Sequence, residues 1–162
     1  MKAVGEGFMT DATMVRPIEI LLVEDSPTDA FLTREAFNRS KLLNKMHVVD
    51  NGDAAIAYLR GQGSEAPQAR PDLILLDLNL PKKDGKEVLK EIKADDELKT
   101  IPVVVLTSSK DEEDVLRSYK LHANCYITKP VEFQKLAEVV KCLRDFWFSV
   151  VTLPNLIYRQ PE

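Results

Sequence analysis

Five short apolar runs alternate along the chain with segments of helical periodicity, and this alternation is what most constrains the fold. The runs lack the polar alternation of half-exposed strands, which is typical of strands covered on both faces. The apolar runs are 18–25, 46–50, 72–78, 101–109 and 124–130, and the helical patterns are 27–40, 52–61, 85–98, 111–122 and 131–148. Strands joined through helices by right-handed crossovers form a parallel sheet with helices on both faces. We therefore predict a doubly wound α/β domain over residues 18–148.

The segments outside this domain are short. Residues 1–17 lack the apolar core of a secretory signal and are predicted to be a flexible leader, and residues 149–162 are predicted to be a tail. No apolar run approaches the roughly 20 residues of a bilayer span, so no membrane association and a cytoplasmic location are expected.

The net charge of −4, with no basic run, argues against nucleic-acid binding and favours protein partners. Cys125 and Cys142 stand outside any metal-binding spacing and are predicted to be free thiols.

Local signals support the helix boundaries. Ser26 is a candidate N-cap for the first helix, with Pro27 at its first position and Asp29 three residues after the cap. Gly61 is a candidate terminator of the second helix. Residues 61–70 have the composition of a surface loop before the third strand.

Polar residues stand where the predicted strands end. Because the carboxyl ends of parallel strands meet at one edge of a sheet, these side chains should face a single pocket. A lone acid at a strand end is usually a solvated turn residue, and a lone lysine is usually a surface charge. The joint pattern in this chain order is far more specific: Glu24 and Asp25, then Asp77, then Thr107 and Ser108, then Thr128 and Lys129.

The three acids predict a divalent cation and a phosphoryl transfer. Close carboxylates repel one another unless a cation or a proton intervenes, and an all-oxygen site suits Mg²⁺. With Asp77 as nucleophile, Mg²⁺ would neutralise the incoming phosphoryl group, while Thr107 and Lys129 contact its other oxygens. The turn after Asp77 leaves the backbone near Asn79 free to join the metal's coordination. The expected product is an acyl phosphate on Asp77.

The chain resembles, from about residue 18 to residue 148, the receiver domain of bacterial two-component response regulators. The matching motifs are LLVEDSPTD with Glu24 and Asp25, LLDLNLPKKDG with Asp77, Asn79 and Pro81, VVVLTSS with Thr107, and CYITKP with Lys129. The resemblance implies a flavodoxin-like fold with five strands in the order 2-1-3-4-5. It implies phosphoryl transfer to Asp77 from a phosphohistidine of a sensor histidine kinase, followed by slow self-dephosphorylation, and no other enzyme activity. It also implies that Mg²⁺ is bound by Glu24, Asp25, Asp77 and the backbone of Asn79.

The same resemblance implies a conformational switch. Thr107 would move toward the phosphate, and Tyr126, three residues before the lysine, would change rotamer with it and alter the outer surface. The alternative is that Tyr126 only packs as an ordinary strand residue. The resemblance further implies that the Lys129–Pro130 peptide bond is cis, an isomer that sequence alone would assign to only about 5% of such bonds.

The last helical pattern is more apolar than one core contact requires. Large aromatic surfaces usually become interfaces, so we predict a homodimer through this helix and the tail. The alternative is that the tail folds back over its own domain. The predicted interface residues are Leu143, Phe146, Trp147, Phe148 and Val150.

The ending DFWFSVVTLP and the long loop before the third strand resemble the small response regulators that partner cyanobacterial phytochromes. A phytochrome kinase is therefore the expected partner.

Two other functions stay open. An Mg²⁺-dependent aspartyl phosphatase would carry a second acid two residues after its nucleophile, where this chain has Asn79. A phosphorylation-independent dimeric adaptor would usually lack the nucleophile or the acidic pair, and this chain retains both.

Overall fold

A five-stranded parallel sheet forms the centre of the molecule. The computed structural model describes residues 17–40, 43–62, 70–107, 123 and 125–135. The strands lie in the spatial order β2-β1-β3-β4-β5, which confirms the predicted strand order and the doubly wound class. Their bounds are β1 (Ile18–Val23), β2 (Asn44–Val49), β3 (Leu73–Asp77), β4 (Val103–Thr107) and β5 (Cys125–Thr128).

Helices cover both faces of the sheet. Within the described residues they are α1 (Pro27–Arg39), α2 (Gly52–Leu59) and α3 (Gly85–Ala94), with a short 3₁₀ turn at Phe133–Lys135. On one face, Leu22 and Leu75 of the central strands pack in one cluster with Phe37 of α1. On the other face, Ile74 packs in a second cluster with Val88 of α3. Burying an aliphatic side chain of this size contributes about 1.5–3 kcal/mol to the stability of the folded state. The two clusters therefore stabilise β1 and β3 on both faces of the sheet.

The strand register places the ends of the central strands side by side. Val23 pairs with Leu76, and Asp77 pairs with Leu106. The ladder continues one residue further, because the Glu24 N–H donates to the Val49 carbonyl at 2.9 Å. Glu24 and Asp77 therefore emerge next to each other at the same edge of the sheet, as the order of the polar residues predicted.

The predicted caps of α1 and α2 are confirmed. The Ser26 hydroxyl accepts a hydrogen bond from the Asp29 N–H at 3.2 Å, with Pro27 in the first turn. Gly61 has a φ of 68°, and its N–H donates to the Tyr58 carbonyl at 3.1 Å while the Gln62 N–H donates to the Ala57 carbonyl at 2.8 Å. These two bonds form a Schellman motif, which explains why the second helix ends where a glycine follows.

The third helix is shorter than its sequence pattern indicated. The prediction extended to residue 98, whereas α3 ends at Ala94. Asp95 leaves the helical conformation, and its carboxylate accepts hydrogen bonds from the N–H groups of Glu97 and Leu98 at 2.8 and 3.1 Å. Short acidic side chains compete with the helix in this way by bonding nearby backbone groups.

Several predictions concern segments that the structure does not describe. The helical pattern at 111–122, all but the first turn of the pattern at 131–148, the leader up to residue 16 and the tail lie outside the described residues. The domain limits of 18 and 148 stay predictions for the same reason. In the part of the chain that the structure describes, no helix has both the length and the apolar character needed to cross a membrane.

Candidate functional site

Asp77 lies at the carboxyl end of β3 and is buried despite its charge, with 2% of its surface exposed. Its Oδ1 atom accepts a hydrogen bond from the Asn79 backbone N–H at 3.1 Å. Its Oδ2 atom accepts another from the Lys129 Nζ at 3.2 Å. A buried carboxylate needs such partners, because its desolvation would otherwise be very costly. The strand end and the turn after it thus hold a charged oxygen at a fixed position.

Two further carboxylates meet Asp77 at this edge. Carboxylate oxygens of Glu24, Asp25 and Asp77 all lie within 4.8 Å of one another. Glu24 is buried and Asp25 is exposed, so the cluster reaches from the interior to solvent. The Ser26 N–H donates to the second Glu24 oxygen at 3.2 Å, which fixes that side chain against the start of α1.

Lys129 directly follows β5, and its side chain reaches the acids at this edge of the sheet. Its Nζ atom is 2.9 Å from Glu24 Oε1, 2.9 Å from Asp29 Oδ2 and 3.2 Å from Asp77 Oδ2. Its side chain is only 9% exposed. The peptide bond to Pro130 is cis, the isomer that the resemblance implied.

Burial and neighbouring charges shift the pKa values of Glu24 and Lys129. Burial raises the pKa of Glu24; the hydrogen bond from Lys129 lowers it and the Asp77 charge raises it, and the resulting pKa is about 7. Burial by itself lowers the pKa of Lys129, but its bonds to Asp29 and Glu24 and the charge of Asp77 outweigh this and raise it above its ordinary value. The lysine is therefore a stable ammonium.

The donor set fits a hard divalent cation. All three cluster side chains offer carboxylate oxygens, and exposed Asp25 leaves access from solvent. Mg²⁺ prefers such oxygen donors and binds with one or two carboxylates while keeping several waters. Burial is the largest cause of the raised pKa of Glu24, and the positive charge of a bound cation would favour the ionised carboxylate against it.

Hydrogen bonds fix the turn after Asp77 where it enters α3. The Gly85 N–H donates to the Leu78 carbonyl at 3.0 Å, and Lys82 has a φ of 64°. The Asp84 carboxylate caps α3 by accepting from the N–H groups of Lys86 and Glu87 at 2.8 and 3.1 Å. The turn therefore returns the chain at once to a helix that begins beside the strand end.

The remaining predicted site residues are described only in part. Thr107 pairs with Thr128, and Tyr126 pairs with Val105, so both predicted switch residues lie on adjacent strands β4 and β5. Their side chains lie outside what the structure describes, as does Ser108. The predicted dimer residues, from Leu143 to Val150, and Cys142 also lie outside the described residues.

Sequence reasoning missed two residues of the site. Asp29 was assigned only to the first turn of α1, yet its carboxylate contacts the Lys129 ammonium. Gly85 was not singled out, yet it touches the backbone of Asp77. A useful signal for Asp29 was available, because a helix that starts four residues after the last residue of β1 must place its first turn at the same edge of the sheet.

The family of the chain follows from comparison with known proteins. The model of the response regulator receiver domain matches residues 20–141. The chain belongs to this family. The receiver is also 51% identical over 138 residues to the response regulator Rcp1 of Synechocystis sp. strain PCC 6803, covering 85% of this chain and 94% of that protein.

Solved structures also resemble the receiver, and two of them are phytochrome response regulators or their relatives. The phosphorylated cyanobacterial phytochrome response regulator RcpA is 52% identical, with a TM-score of 0.70 over 86% of this chain and 99% of that one. The Mn²⁺-bound form of Rcp1 is 51% identical, with a TM-score of 0.69 over 85% of this chain and 99% of that one. These likenesses confirm both the family and the resemblance to phytochrome response regulators.

Proposed function

We propose that the receiver is a phosphorylation switch that accepts a phosphoryl group on Asp77 from a phosphohistidine of a sensor histidine kinase. The observation that carries the proposal is the arrangement around Asp77. Its carboxylate lies within 4.8 Å of two further acids and 3.2 Å from a lysine ammonium. A nucleophile, a cation site and a fixed positive charge are the parts that phosphoryl transfer requires.

Mg²⁺ would be held by Glu24, Asp25, Asp77 and the Asn79 backbone. When bound, the ion neutralises negative charge on the phosphoryl oxygens. In the transfer, a carboxylate oxygen of Asp77 attacks phosphorus, the P–N bond of phosphohistidine breaks, and the imidazole nitrogen keeps the electron pair. Lys129 supplies a permanent positive charge beside the oxygen that accepts the phosphoryl group.

The residue at position 79 favours a switch over a phosphatase. An aspartyl phosphatase needs a second acid there to transfer a proton, and this chain has an amide side chain instead. In the structure, Asn79 contributes its backbone N–H to Asp77 Oδ1. The acyl phosphate should therefore persist and be lost slowly. The phosphorylation-independent adaptor is disfavoured because the three acids and Lys129 are all retained and lie close together.

The proposed donor is a phytochrome kinase. The support is the similarity to RcpA, which is a phytochrome response regulator, together with the high coverage of both chains. The proposed output has two parts: a change at Thr107 and Tyr126, and homodimerisation through the last helix. The second part rests on the apolar sequence from residue 131 to residue 150.

The first experiment is intact mass measurement after incubation with Mg²⁺ and acetyl phosphate. The wild type should gain one phosphoryl group, about 80 Da, and Asp77→Asn should gain none. Asp72→Asn is the matched control, because Asp72 lies just before the other end of the same strand and accepts from the Glu19 N–H at 2.8 Å. Asp72→Asn should be phosphorylated like the wild type. No mass gain in the wild type, with acetyl phosphate or with a phosphorylated histidine kinase, would leave the adaptor as the better proposal.

The second experiment tests the proposed output. Sedimentation of the wild type with and without acetyl phosphate should show a dimer that is strengthened by phosphorylation. Trp147→Glu should sediment as a monomer while still gaining the phosphoryl mass, because a charge in an apolar interface is costly. A dimer that survives this change would place the interface elsewhere.

A further inference from the structure

Asp29 lies outside the acid cluster but contacts Lys129, the lysine that is paired with two of the acids. The cluster consists of Glu24, Asp25 and Asp77. Asp29 projects from the first turn of α1, and its Oδ2 atom is 2.9 Å from the Lys129 Nζ. Its side chain is 36% exposed, whereas Glu24 and Asp77 are almost fully buried.

The Lys129 ammonium divides its three N–H donors among three carboxylates. The distances are 2.9 Å to Glu24, 2.9 Å to Asp29 and 3.2 Å to Asp77. An ammonium has no further donor, so each N–H given to one acid is withheld from another. The longest of the three contacts is the one to Asp77.

We propose that Asp29 is a positioning residue that holds the Lys129 ammonium toward α1 and thereby strengthens divalent-cation binding at Glu24, Asp25 and Asp77. This inference rests on the proposed function, since it concerns the cation site used there. Lys129 and the cation share Glu24 and Asp77 as partners. A tighter hold by the lysine on these two acids weakens the hold of the cation.

Removal of the Asp29 charge has two effects of the same sign. The ammonium loses its third partner and is drawn more strongly to Glu24 and Asp77, and the pocket loses one nearby negative charge. Both effects weaken the binding of a divalent cation. The helix itself should survive Asp29→Asn, because Ser26 caps α1 through the backbone N–H of residue 29.

The first test is calorimetric titration of the full chain with Mg²⁺ alone. Asp29→Asn should raise the Kd for Mg²⁺ roughly threefold to tenfold, the range expected for a partly exposed charge. Asp96→Asn is the matched control, because Asp96 is also an aspartate paired with a lysine, Lys99, at 3.0 Å. Asp96→Asn makes the same change of charge just after the end of α3 and should leave the Kd within about twofold of the wild type, since solvent screens distant charges.

The second test observes the ammonium directly in Mg²⁺-free protein. The ¹H–¹⁵N signal of the Lys129 side chain, assigned by its loss in Lys129→Arg, should move in Asp29→Asn and stay in place in Asp96→Asn. An unmoved signal, even with weaker Mg²⁺ binding, would overturn the positioning role and leave only a general charge effect.

Failure of this inference can be told apart from failure of the proposed function. If the wild type binds Mg²⁺ and is phosphorylated while Asp29→Asn has the same Kd as Asp96→Asn, this inference alone is overturned. If the wild type neither binds Mg²⁺ nor gains a phosphoryl group, the proposed function fails and the inference fails with it.

Discussion

Gly85 packs directly against the backbone of Asp77. A Cβ atom at position 85 would lie 2.3 Å from the Asp77 carbonyl oxygen and 2.6 Å from the Leu78 Cα, distances that real Cβ atoms essentially never show. The first residue of α3 must therefore be a glycine if the proposed phosphoacceptor is to keep its place.

Gly85→Ala should lower both stability and phosphorylation. The added methyl group meets backbone atoms, which cannot turn away as a side chain can, so β3 or α3 must shift. Overpacking of this kind costs about 1–3 kcal/mol. Urea unfolding should show the loss of free energy, and the mass gain with acetyl phosphate should slow because Asp77 is displaced.

Gly61→Ala is the control for a glycine needed only for its backbone conformation. Gly61 has a φ of 68°, and a Cβ there would meet nothing within 4 Å. The expected cost is about 1 kcal/mol from the left-handed conformation, with phosphorylation at the wild-type rate. Equal phosphorylation of the two alanine variants would contradict the role assigned to the Gly85 contact.

Asp25→Asn should abolish most of the stabilisation by Mg²⁺. A ligand that binds only the folded state adds about 2.7 kcal/mol at 100 times its Kd, so the wild type should unfold at a higher temperature when Mg²⁺ is added. Asp25 is exposed, so its loss should weaken the cation site without damaging the core. Calorimetric scans with Mg²⁺ and with a chelator would measure the difference.

Asp50→Asn is the matched control for the cation site. Asp50 is also an exposed aspartate that directly follows a strand, β2, but it lies outside the cluster of acids. This variant should keep the full Mg²⁺ effect. A response as small as that of Asp25→Asn would mean that the cation binds elsewhere at the edge of the sheet.

Lys83→Met should loosen the turn that follows Asp77. The Lys83 Nζ lies 2.7 Å from Glu91 Oε1 in α3 and 3.8 Å from Asp53 Oδ1 in α2, and the bond to Glu91 raises its pKa above the ordinary value. We expect a lower unfolding temperature, with a deficit that shrinks at about 0.5 M salt because ion pairs near the surface are screened. Lys99→Met, which removes a pair with exposed Asp96, should change the unfolding temperature less.

Lys93 should give a measurable dependence of stability on pH. Burial lowers the pKa of its ammonium below the ordinary value of 10.5, although the Nζ bonds the carbonyls of Lys99 and Ile101 at 3.2 and 3.3 Å. Between the folded pKa and 10.5, the unfolded chain binds more protons at this site than the folded chain, so the Lys93 contribution to stability rises with pH.

Comparison with Lys93→Met isolates this contribution from that of other lysines. The free energy of unfolding of the wild type minus that of the variant, measured in urea titrations, should increase as the pH rises toward 10.5. A constant or falling difference would show that Lys93 is not desolvated in the folded state.

The sequence predicted the site residues better than the ends of the elements. Glu24, Asp25, Asp77 and Lys129 were expected to meet because residues at the carboxyl ends of parallel strands must converge, and the structure brings them together. The end of α3 was wrong by four residues, because the side chain of Asp95 bonds its own backbone neighbours and periodicity does not register such local competition.

The order of strands and helices, the capping residues and the identity of the pocket acids were determined by the sequence itself, since they depend on local periodicity and on chain order. Chain order could place Asp29 at the edge of the sheet that carries the site, but only the tertiary structure decided its contact with Lys129 and the contact of Gly85 with Asp77. Asp29 and Lys129 lie far apart in the chain, and their contact depends on where folding places the first turn of α1 relative to the residue that follows β5. Position 85 has no space for a side chain because the start of α3 lies within contact distance of the end of β3. That distance is set only when the whole sheet is packed.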